Sequence, residues 1–326
     1  MVFGSLFWSI GIALLSMVFL VVGARTAVIR IHKLLDHFGF SDTFGGLVIF
    51  SVSTSLPELF SHLVASLGIL SGRLNYEVAS ATVLGGNIGS DVIQQTFIVG
   101  LVILLVGGLT FKKRFLERAY APMIGTTLLC IILGLDGIYS RLDGAILVGG
   151  FILYMIFLYE GEEHHIKKGD DQEHILKMII ISILSLALII VSAHFLLAAS
   201  EEIVAATGLG GSLIGVVSLG VASASPELFT ALFGIKENAE GISLGTLIGS
   251  NITNPLLGIG VGSLLSTYWV PRPLVLWDLP METITAALLL VYLIKTDGKL
   301  GKKGALYLMG LYAFYLIIRI LFFAVD

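Results

Sequence analysis

The chain has 326 residues, 56% of them hydrophobic and 13% charged, with a net charge of −4 and a mean hydropathy of +0.97. That balance lies far from the soluble norm and excludes an ordinary soluble protein of one or two domains. One cysteine, Cys130 in an apolar run, excludes a disulfide framework and a thiolate metal site, and it reads as a small buried hydrophobe.

Apolar stretches long enough for about 30 Å of hydrocarbon recur at 4–24, 43–71, 78–107, 117–134, 142–159, 175–199, 210–234, 242–266, 279–295 and 304–324. The first lacks a basic n-region and an A-x-A-like site, so it reads as a retained span. Alternate loops on one side carry Arg25, Arg30 and Lys33; Lys112, Lys113, Arg114 and Arg118; Lys167, Lys168 and Lys177; Lys236; and Lys295, Lys299, Lys302 and Lys303. The opposite loops carry Arg73, Arg141 and Arg272, while Arg319 falls inside the last span. Fifteen against three puts the basic side in the cytosol and both termini outside. The expected location is the plasma membrane, spanned many times.

The second span contains S-V-S-T-S-L-P-E-L-F at Ser51–Phe60, and the seventh contains L-G-V-A-S-A-S-P-E-L-F at Leu219–Phe229. Each sets a carboxylate directly after a proline, behind a cluster of hydroxyls. Proline removes a backbone donor and breaks the helix ladder. A glutamate at bilayer depth is costly and is kept for an ion or proton pathway. These elements place oxygen ligands at mid-membrane twice.

The two elements belong to a longer repeat. A shift of 169 aligns Val22–Phe60 with Val191–Phe229 without a gap, matching Gly46 to Gly215, Pro57 to Pro226 and Glu58 to Glu227. Further on, G-G-N-I-G-S-D (Gly85–Asp91) matches G-T-L-I-G-S-N (Gly245–Asn251). A repeat of five spans, an odd number, inverts its second copy. The expected fold is an all-α membrane protein with ten transmembrane helices in two inverted five-helix repeats, residues 1–159 and 175–326, with broken helices at the midplane. The joining segment, 160–174, carries Glu160, Glu162, Glu163, His164, His165, Asp170, Asp171, Glu173 and His174. Its spacing fits neither an EF-hand nor a zinc site, so it reads as a solvated cytosolic linker. The glycines of Gly144–Gly150 lack a phosphate-loop pattern, and nothing indicates nucleotide or nucleic acid.

Pro-Glu after a hydroxyl cluster, then a Gly-Ser element in the next span, both duplicated across ten spans, resembles the calcium/cation antiporter superfamily. The nearest fit is its sodium/calcium exchanger branch, of prokaryotic type. The G-N-x-x-E-L signatures of the proton/calcium branch are missing at the glutamates. The resemblance implies an ion site at Thr54, Ser55, Glu58, Ser90 and Gln94, with Ser223, Glu227, Ser250 and Asn254. It also implies no cofactor beyond the transported ions, no enzymatic activity, and Ca²⁺, Na⁺ or H⁺ and the lipid bilayer as partners.

The residues themselves suit that reading. Calcium takes about six to eight hard oxygens, and Glu58 and Glu227 bring the two charges that balance it. Thr54 and Ser223 stand four residues earlier, and the carbonyls of Ser51 and Gly220 are candidate sodium ligands. Ser90 and Ser250 approach from spans 3 and 8, and Gln94 and Asn254 follow on the same helix faces. Three positions depart from the family: Ala224 replaces a serine, Gln94 an asparagine, and Asn254 the aspartate of some prokaryotic members.

Two further titratable groups stand nearby. Asp91 reads either as a third carboxylate at the cavity or, in preference, as a group paired with Asn87. His62 reads as a proton carrier or, in preference, as a neutral hydrogen-bonded histidine of the bundle. His194 reads as structural or interfacial. Ca²⁺ export in exchange for Na⁺ is the expected activity. H⁺/Ca²⁺ exchange is the alternative, favoured by Asn254, Ala224 and His62, and a cation channel is a more distant one.

Overall fold

Backbone polar groups in hydrocarbon are satisfied within their own segment, and this chain meets that demand almost entirely with helices. The computed structural model describes residues 2–35, 45–159, 172–236 and 240–326. In chain order these form α1 (Val2–Leu35), α2 (45–54), α3 (Leu56–Leu70), α4 (Tyr76–Val106), α5 (Lys113–Gly134), α6 (Arg141–Tyr159), α7 (Gln172–Thr207), α8 (211–223), α9 (Ser225–Lys236), α10 (240–266), α11 (Leu274–Lys295) and α12 (Lys302–Phe322). Of the linker expected at 160–174, residues 160–171 lie outside the described residues, and Gln172, Glu173 and His174 begin α7.

Among the described residues eight helical runs are long and apolar enough to cross a membrane, with α8 and α9 counted together as one. The other two stretches read as spans, 43–71 and 242–266, are helical over residues 45–54, 56–70 and 242–266. Their serines, threonines and asparagines lower their hydropathy. Two helices outrun their expected ends: α1 continues to Leu35 and α7 to Thr207. Neither extension contains glycine or proline, and α7 stops where Gly208 turns left-handed at φ +70°.

Burial sorts the helices into layers. The spans α4 and α8–α9 are 72% and 65% buried, whereas those of α1 and α7 are each 28% buried. The former make the centre and the latter an exposed pair at the periphery. α1 and α7 lie side by side, with Gly23 against the Ser185 carbonyl and Ile189. Ala24, Ala27 and Ile189 form a small apolar cluster of their own, separate from the main core.

Close approach in the centre depends on missing side chains. A Cβ on Gly85 would strike the backbone of Ser212, and one on Gly215 would strike the Thr82 carbonyl, so α4 and α8 touch backbone to backbone. Gly249 does the same for α10 on α2: a Cβ there would lie 2.9 Å from the Leu47 carbonyl. Both contacts join an element of the first half to one of the second.

Two short antiparallel ribbons tie the loops in the same cross-wise manner. β1 (Gly108–Thr110) pairs with β4 (Lys299–Gly301), with Leu109 opposite Leu300. β2 (Ile138–Tyr139) pairs with β3 (Tyr268–Trp269), with Tyr139 opposite Tyr268.

Candidate ion-binding site

The Pro-Glu elements interrupt their helices at matching places. The break between α2 and α3 falls at Ser55 (φ −76°, ψ 1°), and that between α8 and α9 at Ala224 (φ −70°, ψ −8°). Pro57 and Pro226 follow in the first turns of α3 and α9 and have no N–H to return to the preceding turn. Glu58 and Glu227 come next. Each therefore sits at a helix N-terminus, where the helix dipole favours negative charge.

Wide, π-type turns flank both breaks and the facing helices. They cover Gly45–Phe50 and Val216–Gly220 before the breaks, and Gln94–Ile98 and Asn254–Ile259 in α4 and α10. Such turns offset the regular ladder of carbonyls and occur often at functional sites. Gln94 and Asn254 each open one of them.

Every proposed ligand side chain is buried, and hydrogen bonds draw several together. The Ser90 hydroxyl donates to Glu58 Oε1 at 2.9 Å, and Gln94 Nε2 donates to Ser90 Oγ at 2.9 Å. Thr54 Oγ1 lies 3.2 Å from Ser250 Oγ. Ser223, across the repeat, is in the electrostatic neighbourhood of Glu58, as Thr54 and Ser250 are of Glu227. Each glutamate thus meets one hydroxyl from its own half and one from the other.

The unused atoms are as telling as the bonded ones. Glu58 Oε2, both carboxylate oxygens of Glu227, Ser55 Oγ, Gln94 Oε1 and Asn254 Oδ1 are all buried without a hydrogen-bond partner. Both amides have their N–H ends tied, Gln94 to Ser90 and Asn254 to Asp91, which leaves their carbonyl oxygens open. Buried oxygens without donors are costly unless something positive comes to them. Among the described residues no lysine or arginine forms an ion pair with Glu58 or Glu227. Nor do three acidic, histidine or cysteine side chains converge there, so hydroxyl, amide and carbonyl oxygens would complete a cation's shell.

Some expected ligands are engaged within their own helices. The Ser51 carbonyl accepts from Ser55 N at 3.0 Å and Thr54 Oγ1 at 3.2 Å, and the Gly220 carbonyl accepts from Ala224 N at 3.1 Å. The Ser51 hydroxyl donates to the Leu47 carbonyl at 2.6 Å and lies 3.4 Å from Thr253 Oγ1.

Asp91 does not pair with Asn87, contrary to expectation. Its Oδ1 accepts from Asn254 Nδ2 at 2.7 Å, and its backbone carbonyl accepts from Asn251 Nδ2 at 3.0 Å. The reason is that α4 and α10 meet at the ends of the two matching Gly-Ser elements, where Asn251 and Asn254 reach Asp91. Asn87 instead lies 3.2 Å from His62 Nε2 and donates to the Asn254 carbonyl at 2.9 Å. His62 is buried, with Nδ1 3.2 Å from the Tyr268 hydroxyl, and so takes the hydrogen-bonded place expected of a bundle histidine. Cys130 is fully buried. His194 is exposed, edge-on to Phe195.

Sequence reasoning missed three participants. Tyr268 donates to the His62 carbonyl at 3.0 Å and lies 2.8 Å from Ser66 Oγ, pinning β3 to α3. Arg319 is fully buried and pairs through Nε with Asp278 Oδ2 at 2.9 Å. Glu282 is a further buried carboxylate, whose backbone carbonyl accepts from Gln95 of α4 at 3.3 Å. The run L-P-M-E at 279–282, again a proline shortly before a carboxylate in an apolar stretch, was a usable signal for it.

Comparison with known proteins places this geometry in a family. The family model described as sodium/calcium exchanger protein matches residues 8–160 and 177–321. An uncharacterized membrane protein of Methanocaldococcus jannaschii, MJ0091, is 25% identical over 310 residues, covering 93% of this chain and 95% of its own length. The sodium/calcium exchanger MaX1 of Methanosarcina acetivorans is 25% identical over 350 residues, covering 94% and 97%. A solved structure of the sodium-calcium exchanger NCX_Mj superposes with a TM-score of 0.66 at 23% identity, covering 97% of this chain and 98% of that one. With most of its length matched by the family model, this chain belongs to the sodium/calcium exchanger family.

Proposed function

We propose that the protein is a secondary-active antiporter that exports Ca²⁺ in exchange for Na⁺ by alternating access. The observation that carries this reading is the pair of buried glutamates, each with unpartnered oxygen and each beside hydroxyls from both halves of the chain. Ca²⁺ would be held between Glu58 and Glu227, with Thr54, Ser223, Ser90, Ser250, Gln94 and Asn254 supplying further oxygens. Ser51, Ser55 and Gly220 would serve sodium. Two glutamates cannot balance Ca²⁺ and several Na⁺ ions together, so the ions compete for one set of oxygens, which is the physical basis of exchange.

The supporting architecture is ten spans in two inverted repeats, 1–159 and 175–326, with both termini outside and the linker in the cytosol. The cross-wise ribbons β1·β4 and β2·β3 support it, because each joins a loop after span 3 or 4 to a loop after span 9 or 8. Matching breaks at Ser55 and Ala224 support it too. The burial of every ligand side chain agrees with a closed centre rather than a continuous pore.

Proton/calcium exchange is the second reading. Asn254 and Ala224 remove a carboxylate and a hydroxyl that would favour sodium, and buried carboxylates without cation partners are natural proton carriers. Ca²⁺ uptake into vesicles, driven in turn by a sodium gradient at clamped pH and by a proton gradient without sodium, separates the two. Flux under the sodium gradient supports sodium coupling. Flux under the proton gradient alone refutes it.

A further inference from the structure

Glu282 lies about two turns inside α11, 1% exposed, and neither of its carboxylate oxygens has a hydrogen-bond partner. Among the described residues no lysine or arginine forms an ion pair with it. From α4 come Asp91 and Gln95; Gln95 Nε2 donates to the Glu282 backbone carbonyl at 3.3 Å, and Gln95 Oε1 is itself buried and unpartnered. From α5 comes the Cys130 thiol, whose carbonyl accepts from the Tyr139 hydroxyl at 2.8 Å. One turn earlier on α11 stands Asp278, whose charge is already matched by Arg319.

A bare carboxylate in such a place is far costlier than a protonated one. A metal ion is poorly served there. Among the described residues no group of three acidic, histidine or cysteine side chains gathers there, and Gln95 brings one unpartnered amide oxygen, whereas calcium takes about six to eight oxygens. The group is also absent from the other half of the chain. Pro122-Met123-Ile124 corresponds to Pro280-Met281-Glu282, so an apolar residue fills the matching place.

We propose that Glu282 is a proton-binding site, a neutral carboxyl beside the ion centre, whose proton is released when a divalent cation enters that centre. The link runs through α4: Gln95 donates to the Glu282 carbonyl, and Asp91, one turn earlier on the same helix, accepts from Asn254 of the ion centre. Positive charge at the centre favours ionisation nearby, and by reciprocity the ionised form favours the cation. The release step rests on the exchange reading; the neutral carboxyl does not.

The test is infrared spectroscopy on the purified protein, first without calcium. Wild type should show a protonated-carboxyl band that Glu282→Gln removes and Glu282→Asp shifts. Calcium is then added in weak buffer with a pH-indicator dye, and Glu282→Gln should release one proton fewer per protein than wild type. A band that survives unchanged in both variants, or equal proton release, overturns the proposal. If Glu282→Gln fails to fold, the shift in Glu282→Asp decides alone. A wild-type protein that binds no calcium would refute the exchange reading, and the calcium-free band would still decide the state of Glu282.

Discussion

Glu227→Gln offers the sharpest test of the ion centre, because it predicts opposite effects with and without calcium. The side chain is fully buried and neither carboxylate oxygen is hydrogen-bonded. In ion-free protein, an isosteric amide breaks no hydrogen bond and leaves no partner unpaired, so stability should be unchanged or higher. With calcium bound, the same change removes one of the two charges that balance the ion. Losing one partner of a buried pair costs about 3–5 kcal/mol, which lowers affinity by roughly two to four orders of magnitude. Calcium at a hundred times its wild-type Kd should stabilise the wild type by about 2.7 kcal/mol and the variant by less than about 0.5 kcal/mol. Equilibrium binding of radioactive calcium, together with unfolding in detergent with and without calcium, reads both numbers. Glu58→Gln should behave alike, since Ser90 can still donate to an amide carbonyl. Calcium affinity retained within about fivefold by both variants would refute the charge-balance argument.

Removing Arg319 should strand Asp278 as an unpaired buried charge and destabilise the protein by about 3–5 kcal/mol; Arg319→Met combined with Asp278→Asn should recover most of that loss in the same unfolding assay. Ala224→Ser should strengthen sodium competition against bound calcium, and Ser55→Ala should weaken it, with calcium affinity in sodium-free buffer changed much less. Cysteines placed near Arg73 or Arg141 should react with an impermeant reagent from outside the cell and those near Lys113 or Lys299 should not; the reverse pattern overturns the orientation and, with it, the outward direction of export.

Much of this protein could be read from one dimension because membranes impose local rules. A span satisfies its own backbone, so runs of apolar residues mark helices wherever they occur. Proline before glutamate marks a broken helix with a costly charge, and its second appearance 169 residues on marks the repeat. Spacing of four residues put Gln94 and Asn254 on the faces of Ser90 and Ser250, since neighbours on one helix face are fixed by its pitch. Cys130 and His62 likewise took the roles their apolar surroundings suggested.

Partners across helices were another matter. Asp91 was expected to meet Asn87, one turn away on its own helix, yet it bonds Asn254 from the other half of the chain. That choice depends on how closely α4 and α10 approach, which is a property of packing and not of helical pitch. Glu282 was legible as a carboxylate in a span but not as a neighbour of Gln95, and Arg319 as a charge in a span but not as the partner of Asp278. The far ends of α1 and α7 ran past their expected limits because hydropathy marks the edge of the lipid, while a helix ends only where glycine, proline or a cap stops it. Local sequence determined which groups enter the membrane; the contacts between helices decided which of them meet.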